Sequence, residues 1–143
     1  MNRYGVAGTI VIAAMAFLAG CSSDGGMSDV TSERARLAAY AARAQYPREA
    51  ELSRDLPAGV VINGDEVKIV NFSNRRIDDV NIWINGGYVR HEASLPANGI
   101  LTLPKSYFYD GTGRTLSSQD ASINKVEIES GRTLYELWGP VRE

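Results

Sequence analysis

The sequence predicts a mainly β protein: a small antiparallel β-sandwich preceded by one helix. Three observations carry this. From Leu56 onward, apolar residues fall in short runs of period two, as in Val80, Ile82 and Ile84 against Asn81, Trp83 and Asn85. Turn chemistry separates the runs, with Asn63-Gly64, Asn85-Gly86-Gly87 and Ser130-Gly131 between them. Ahead of them, residues 31–46 are rich in alanine and arginine, both strong helix formers, with Glu33 near the start, and Pro47 closes the stretch.

The chain has 143 residues, enough for one domain plus a leader. Its first 21 residues differ from the rest. Arg3 gives a positive start, Val6 to Leu18 is apolar apart from Gly8 and Thr9, and Ala19, Gly20 and Cys21 follow. This order of charged, apolar and small residues is that of an export signal. A helix of that apolar length spans about 20 Å, short of the roughly 30 Å hydrocarbon core, so it is not expected to remain as a membrane span.

Leu18-Ala19-Gly20-Cys21 resembles the lipobox of bacterial lipoproteins, and Cys21 is the only cysteine. The resemblance implies that residues 1–20 are removed and that Cys21 carries a diacylglycerol, with palmitate-type chains on the sulfur and on the new amine. Several chains are needed, because a single acyl chain holds a protein to a bilayer only reversibly. With Cys21 so used, no thiol remains for a disulfide. Ser22 follows the cysteine; by the same resemblance it permits sorting to the outer membrane, facing the periplasm, in a cell with two membranes.

Residues 21–30, with Ser22, Ser23, Asp24, Gly25 and Gly26, read as a flexible lipid-anchored tether. Residues 31–54 read as a helical stalk, with Asp29, Thr31 or Ser32 as candidate caps. Leu37, Tyr40, Ala41 and Ala44 share one face at i, i+3, i+4, i+7 spacing, a thin stripe that suits packing on the β domain or on a partner. Arg34, Arg36, Arg43, Arg48 and Arg54 make the stretch weakly basic, compatible with an anionic membrane surface or with a solvated face.

Residues 56–143 read as the β domain. Val60 to Ile62 and Val67 with Ile69 form a hairpin through Asn63-Gly64-Asp65; Val80 to Ile84 is the clearest strand. Tyr88 to Ala93, Ile100 to Leu103, Lys125 to Glu129 and Thr133 to Trp138 complete about seven short strands at roughly ten-residue spacing, a sandwich or small-barrel pattern. The general look is that of small immunoglobulin-like or C2-like modules, without a Cys–Trp–Cys set.

Candidate chemistry is sparse. The formal net charge of −2 offers no basic excess, which argues against a nucleic-acid partner. His91 is the only histidine and alternates with Arg90 and Glu92, as a strand-surface residue does; no metal site or triad is expected from it. No serine sits in a Gly-x-Ser-x-Gly elbow, and Asp110-Gly111-Thr112-Gly113-Arg114 lacks the spacing and ending of a phosphate loop. Asp78, Asp79, Asp110 and Asp120 fall in loops where calcium could gather them, but their spacing matches no calcium loop, and aspartate favours turns through its own local hydrogen bonds. No catalytic residue, metal or cofactor is expected.

The aromatics are the remaining candidates. Trp83 falls on the polar side of its strand, and Tyr107-Phe108-Tyr109 is a dense cluster beside a turn. Exposed rings stack on sugars or anchor peptides; buried ones cover a second face or pack under the helix. Two functional expectations follow. One is a lipid-held structural or protein-interaction module for an envelope partner. The other is a carbohydrate- or peptide-binding module using Trp83, Tyr107, Phe108 and Tyr109. An open groove lined by those four residues favours the second; their burial favours the first.

Overall fold

The computed structural model of the chain describes residues 25–118 and 122–142. The expected signal segment, Cys21 and Asp120 lie outside the described residues. The fold is mainly β, a sandwich with one helix ahead of it, as the sequence predicts. Helix α1 runs Gly25–Ala41. The strands are β1 Glu51–Ser53, β2 Ala58–Asn63, β3 Glu66–Asn71, β4 Ile77–Ile84, β5 Tyr88–Leu95, β6 Ile100–Pro104, β7 Val126–Ser130, β8 Thr133–Glu136 and β9 Trp138–Arg142.

The strands form a five-stranded sheet in the order β1-β8-β7-β4-β5 and a four-stranded sheet in the order β6-β3-β2-β9. Pairing is antiparallel except at two sheet edges, where β1 lies parallel to β8 and β9 parallel to β2. The hairpins follow their turn residues. Gly64, at φ +51°, takes the first position of the two-residue loop between Asn63 and Glu66, so Asn63 belongs to the strand rather than to the turn. Asn85 and Gly86 supply the two positive φ angles of the β4–β5 turn, closed by the Gly87 N–H donating to the Ile84 carbonyl at 3.1 Å.

Three expectations need correction. The helix begins at Gly25 rather than near residue 31, so the stretch 25–30 is helical and not a loose tether. It ends at Ala41, well before Pro47, and the chain then turns through Tyr40 carbonyl contacts to Ala44. Residues 51–53 are not stalk. They hydrogen-bond to β8 as an edge strand, which extends the β domain N-terminal to Leu56.

Two apolar clusters hold the layers together. Between the sheets, Val80, Ile82 and Ile84 meet Val67, Ile69, Leu103, Phe108, Leu116 and Ile128. Their alternation along β4 sends them inward, as strand geometry requires. On the outer side of the five-stranded sheet, Leu37 and Ala41 of α1 cover Trp83, Val89, Tyr109 and Leu134, with Ala38, Tyr40 and Ala44 beside them. The predicted stripe of α1 is therefore the face that packs. Alanine lets the helix approach closely, and burial of Leu37 contributes roughly 1.5–3 kcal/mol. The order of layers is helix, five-stranded sheet, four-stranded sheet.

Candidate functional site

The predicted aromatic residues do not assemble an open groove. Trp83 is 3% exposed and lies under α1. Phe108 is buried in the inter-sheet core, and Tyr109 is buried with Trp83. Tyr107 is half-buried against the same helix-side cluster. The reading of these rings as an exposed platform is corrected by their burial. The reason is local. The segment crosses the edge of β5, where the Val89 N–H donates to the Tyr109 carbonyl at 2.9 Å and the Tyr109 N–H returns to Val89 at 3.3 Å. Alternation then sends Phe108 into the sandwich and its two tyrosine neighbours to the helix side. The choice of phenylalanine at 108 is the legible signal, since a ring without a hydroxyl needs no polar partner in a core.

The helix-facing side of the five-stranded sheet also carries a polar layer. The Trp83 indole N–H donates to Glu129 Oε2 at 2.8 Å, and Asn81 Nδ2 donates to the same oxygen at 2.9 Å. The Tyr40 hydroxyl donates to Asn81 Oδ1 at 2.5 Å. A carboxylate only accepts, so the Asn81 amide nitrogen must face Glu129 and its oxygen must face Tyr40. The same oxygen lies 3.2 Å from His91 Nδ1, which places a proton on Nδ1. His91 stacks on Tyr40 at 4.9 Å between centroids, and its Nε2 lies 3.7 Å from Asp79. His91 thus belongs to the helix-facing layer, not to a bare strand surface.

Glu127 is the second carboxylate of that layer and is 2% exposed. Tyr46 donates its hydroxyl proton to Glu127 Oε2 at 2.8 Å, and Lys125 Nζ lies 3.0 Å from Oε1 and 3.1 Å from the Tyr46 oxygen. Burial pushes the Tyr40 and Tyr46 phenols up, so both remain protonated donors at neutral pH. The Lys125 pKa is raised by its hydrogen bond to Tyr46, against the opposing effect of burial, and further by Glu127. The Tyr46 ring meets Trp83 edge-on at 5.4 Å. These contacts clamp α1 and the segment after it onto the sheet. Sequence reasoning missed Tyr46, Glu127 and Glu129; the only signal was carboxylates alternating with Val126 and Ile128 on a strand.

A third cluster sits at the β5 edge. Arg90 pairs with Glu92, and the guanidinium of Arg90 lies over the Tyr107 ring at 5.1 Å, with Arg34 at 5.5 Å from the same ring. Arg90 Nη1 is buried without a hydrogen-bonding oxygen. The guanidinium as a whole is held against the π face of Tyr107, a cation–π contact.

Two of the loop carboxylates, Asp110 and Asp78, are spent locally, whereas Asp79 is exposed. Asp110 Oδ1 accepts from the Thr112 N–H and hydroxyl and from the Arg114 N–H, while Oδ2 accepts from Arg114 Nε at 3.1 Å. Burial works to raise its pKa, but those bonds outweigh it and bring the carboxyl to about 2. Asp78 is paired with Arg76 at 2.6 Å. Among the described residues no three histidine, cysteine, aspartate or glutamate side chains gather as a metal site. No helix of the described residues is long and apolar enough to cross a membrane.

Two surface features remain. An open cleft of about 760 Å³ lies between the chain after α1 and the β7–β8 turn, lined by Tyr46, Pro47, Arg48, Ala50, Gly131 and Arg132. At one end of the four-stranded sheet, Phe72 and Ile100 are 65% and 63% exposed. Compared with known protein families, with curated proteins and with solved structures, the chain matches none.

Proposed function

We propose that this chain is a lipid-anchored cell-envelope protein whose β-sandwich serves as a structural or protein-interaction module. The observation that carries the reading is the spacing of Cys21 from the domain. The lipobox-like Leu18-Ala19-Gly20-Cys21 ends four residues before α1 begins at Gly25. At no more than about 3.5 Å per residue, the start of the helix lies within about 14 Å of the Cys21 backbone. An acylated Cys21 therefore holds the domain close to a bilayer, without a long leash. The helix is fastened to the sheet by Leu37, Ala41, Tyr40 and Tyr46, so the anchor acts on the whole domain. Burial of Trp83, Phe108 and Tyr109 removes the support for the carbohydrate- or peptide-binding alternative.

The test is metabolic labelling with a fatty-acid probe. The wild-type chain takes up label and loses its leader; Cys21→Ser does neither, because a hydroxyl cannot form the thioether. Label in the Cys21→Ser variant would overturn the anchor. Crosslinking of the lipidated protein in cells then reports the envelope partner, and recovery of the monomer alone would overturn the interaction role.

A further inference from the structure

We propose that Asn63, at the tip of the β2–β3 hairpin, is a site of spontaneous covalent modification, in which its side-chain amide is lost as ammonia and water leaves aspartate or isoaspartate. The inference stands apart from the lipid anchor.

The chemistry is set by the residue that follows. A backbone nitrogen can attack the side-chain amide carbon of the asparagine before it. Glycine hinders that approach least, because it carries no β-carbon. The chain has three such steps, Asn63-Gly64, Asn85-Gly86 and Asn98-Gly99. At the first, the Gly64 nitrogen bonds to Asn63 Cγ and gives up its proton. The Cγ–Nδ2 bond breaks, and ammonia leaves with that proton. The cyclic succinimide that remains is opened by water. Opening at one carbonyl gives aspartate; opening at the other gives isoaspartate, in which the backbone runs through the β-carbon.

The fold separates the three steps. Asn85 is held at its amide. Its Oδ1 accepts from the N–H groups of Asn124 and Lys125 at 2.9 and 3.1 Å, and its Nδ2 donates to the Ser122 carbonyl at 2.8 Å. Attack there must first break all of these bonds.

Asn98 is exposed, but its backbone is clamped. The Asn98 N–H donates to the Ser73 carbonyl at 2.8 Å, and the Gly99 carbonyl accepts from the Asn71 N–H at 2.9 Å. Asn71 is buried, and its Nδ2 donates to the carbonyls of Arg75 and Pro96 at 2.8 and 3.0 Å. Pro96 in turn packs tightly on Gly99, where a β-carbon would lie 2.5 Å from Pro96 Cγ. The Gly99 nitrogen therefore has little room to swing onto its neighbour.

Asn63 has neither restraint. Residues 63–66 are all exposed, and the Asn63 amide has no hydrogen bond among the described residues. A β-carbon at Gly64 would meet nothing within 4 Å. The turn is pinned on its far side, where the Lys105 N–H donates to the Asp65 carbonyl at 2.8 Å. Ring closure needs rotation about the Asn63 Cα–C bond, which opens the Asn63–Glu66 pair. That pair is the last of its ladder, and a terminal pair opens locally far more readily than the core.

The product weakens the hairpin that makes it. Asn63 lies directly opposite Glu66, so the new carboxylate faces an existing one, and like charges across a ladder destabilise it. Lys68, 3.8 Å from Glu66, then serves two carboxylates instead of one. Isoaspartate also lengthens the backbone at the strand end and spoils its register. β2 and β3 are the central strands of their sheet, so the damage enters at its middle.

The test incubates the full folded chain at mildly alkaline pH and follows the three steps by peptide mass mapping. Loss of ammonia and gain of water marks each product, and electron-based fragmentation tells isoaspartate from aspartate. Asn63 should convert several-fold faster than Asn98, with Asn85 slowest. In urea the three rates should converge, since the fold no longer separates them. Asn63→Gln keeps the charge but closes a ring poorly, and should remove the first acidic species seen on ion exchange. Earlier conversion at Asn85 or Asn98 overturns the proposal, as does an unchanged order in urea, which would mean that sequence neighbours alone decide. Asn63→Asp should melt below Asn63→Gln, and the gap should shrink in high salt. Equal melts in low salt would overturn the weakening of the hairpin.

Discussion

The Tyr46 hydroxyl donates to Glu127 Oε2 at 2.8 Å, joining residues 81 apart in sequence. Lys125 completes the triad from the solvent side, at 3.0 Å from Glu127 Oε1. The bond ties the chain leaving α1 to the centre of the five-stranded sheet. Tyr46→Phe keeps the edge contact with Trp83 and removes only the donor. A buried carboxylate that loses one partner costs about 1–3 kcal/mol. The urea midpoint of Tyr46→Phe should fall accordingly, with an unchanged slope. An unaltered midpoint would mean that water replaces the hydroxyl at no cost.

The two sides of β4 predict different responses. Ile82 is buried between the sheets, and Ile82→Ala should cost about 2–5 kcal/mol through the cavity it leaves. Trp83→Ala removes the largest ring beneath α1 and should cost about 3–5 kcal/mol. Trp83→Phe keeps an aromatic ring but leaves Glu129 with the Asn81 amide alone, and should cost less than Trp83→Ala. Thermal melts of the three variants rank these effects. A Trp83→Ala variant as stable as the wild type would place the ring outside the helix-side core.

β4 was legible because Val80, Ile82 and Ile84 alternate without interruption, and turn residues bound it on the right. Period two assigns Trp83 to a face but does not say what covers that face. The cover is an alanine-rich helix whose apolar stripe is thin, so its packing partner could not be read from composition. β1 and β9 were not legible as separate strands for a related reason. Glu51-Leu52-Ser53 is three residues long, and its parallel pairing to β8 leaves no turn signal beside it. β9 contains Gly139 and Pro140, which ordinarily speak against a strand and are tolerated here because β9 is a sheet edge. Tyr46 meets Glu127 only through tertiary contact across 81 positions, and Glu129 meets Trp83 and Asn81 across 46 and 48. Asn71 gave no pattern at all, since an asparagine before a loop is commonplace.

The helix is part of the domain, and this changes what truncation should do. A chain starting at Leu56 lacks α1, Tyr46 and β1. It exposes Trp83, Val89, Tyr109 and Leu134 together and leaves Glu127 without Tyr46. Loss of a cooperative melt is the expected outcome, with binding of a hydrophobic dye as the second readout. A sharp two-state transition in the truncated chain would show that the sandwich stands without its helix layer.

Asp110 makes stability depend on acid. Its carboxyl titrates at about 2 in the folded chain, below the ordinary 3.8, because Thr112 and Arg114 bond to the charged form. A group whose folded pKa is depressed adds stability that is complete above its unfolded value. That stability is lost as pH falls from about 4 through about 2. Asp110→Ala should therefore be less stable than the wild type from neutral pH down to about 5. The gap between them should narrow as pH drops further, because the wild type then loses the charged acceptor the variant never had. Arg114→Ala should reproduce part of the effect, as it removes the 3.1 Å bond to Oδ2 but keeps the backbone donor to Oδ1. Urea titrations at pH 7, 5 and 3 decide the matter. A gap that stays constant over that range would show that the turn is held by its backbone geometry, with the Asp110 charge contributing nothing.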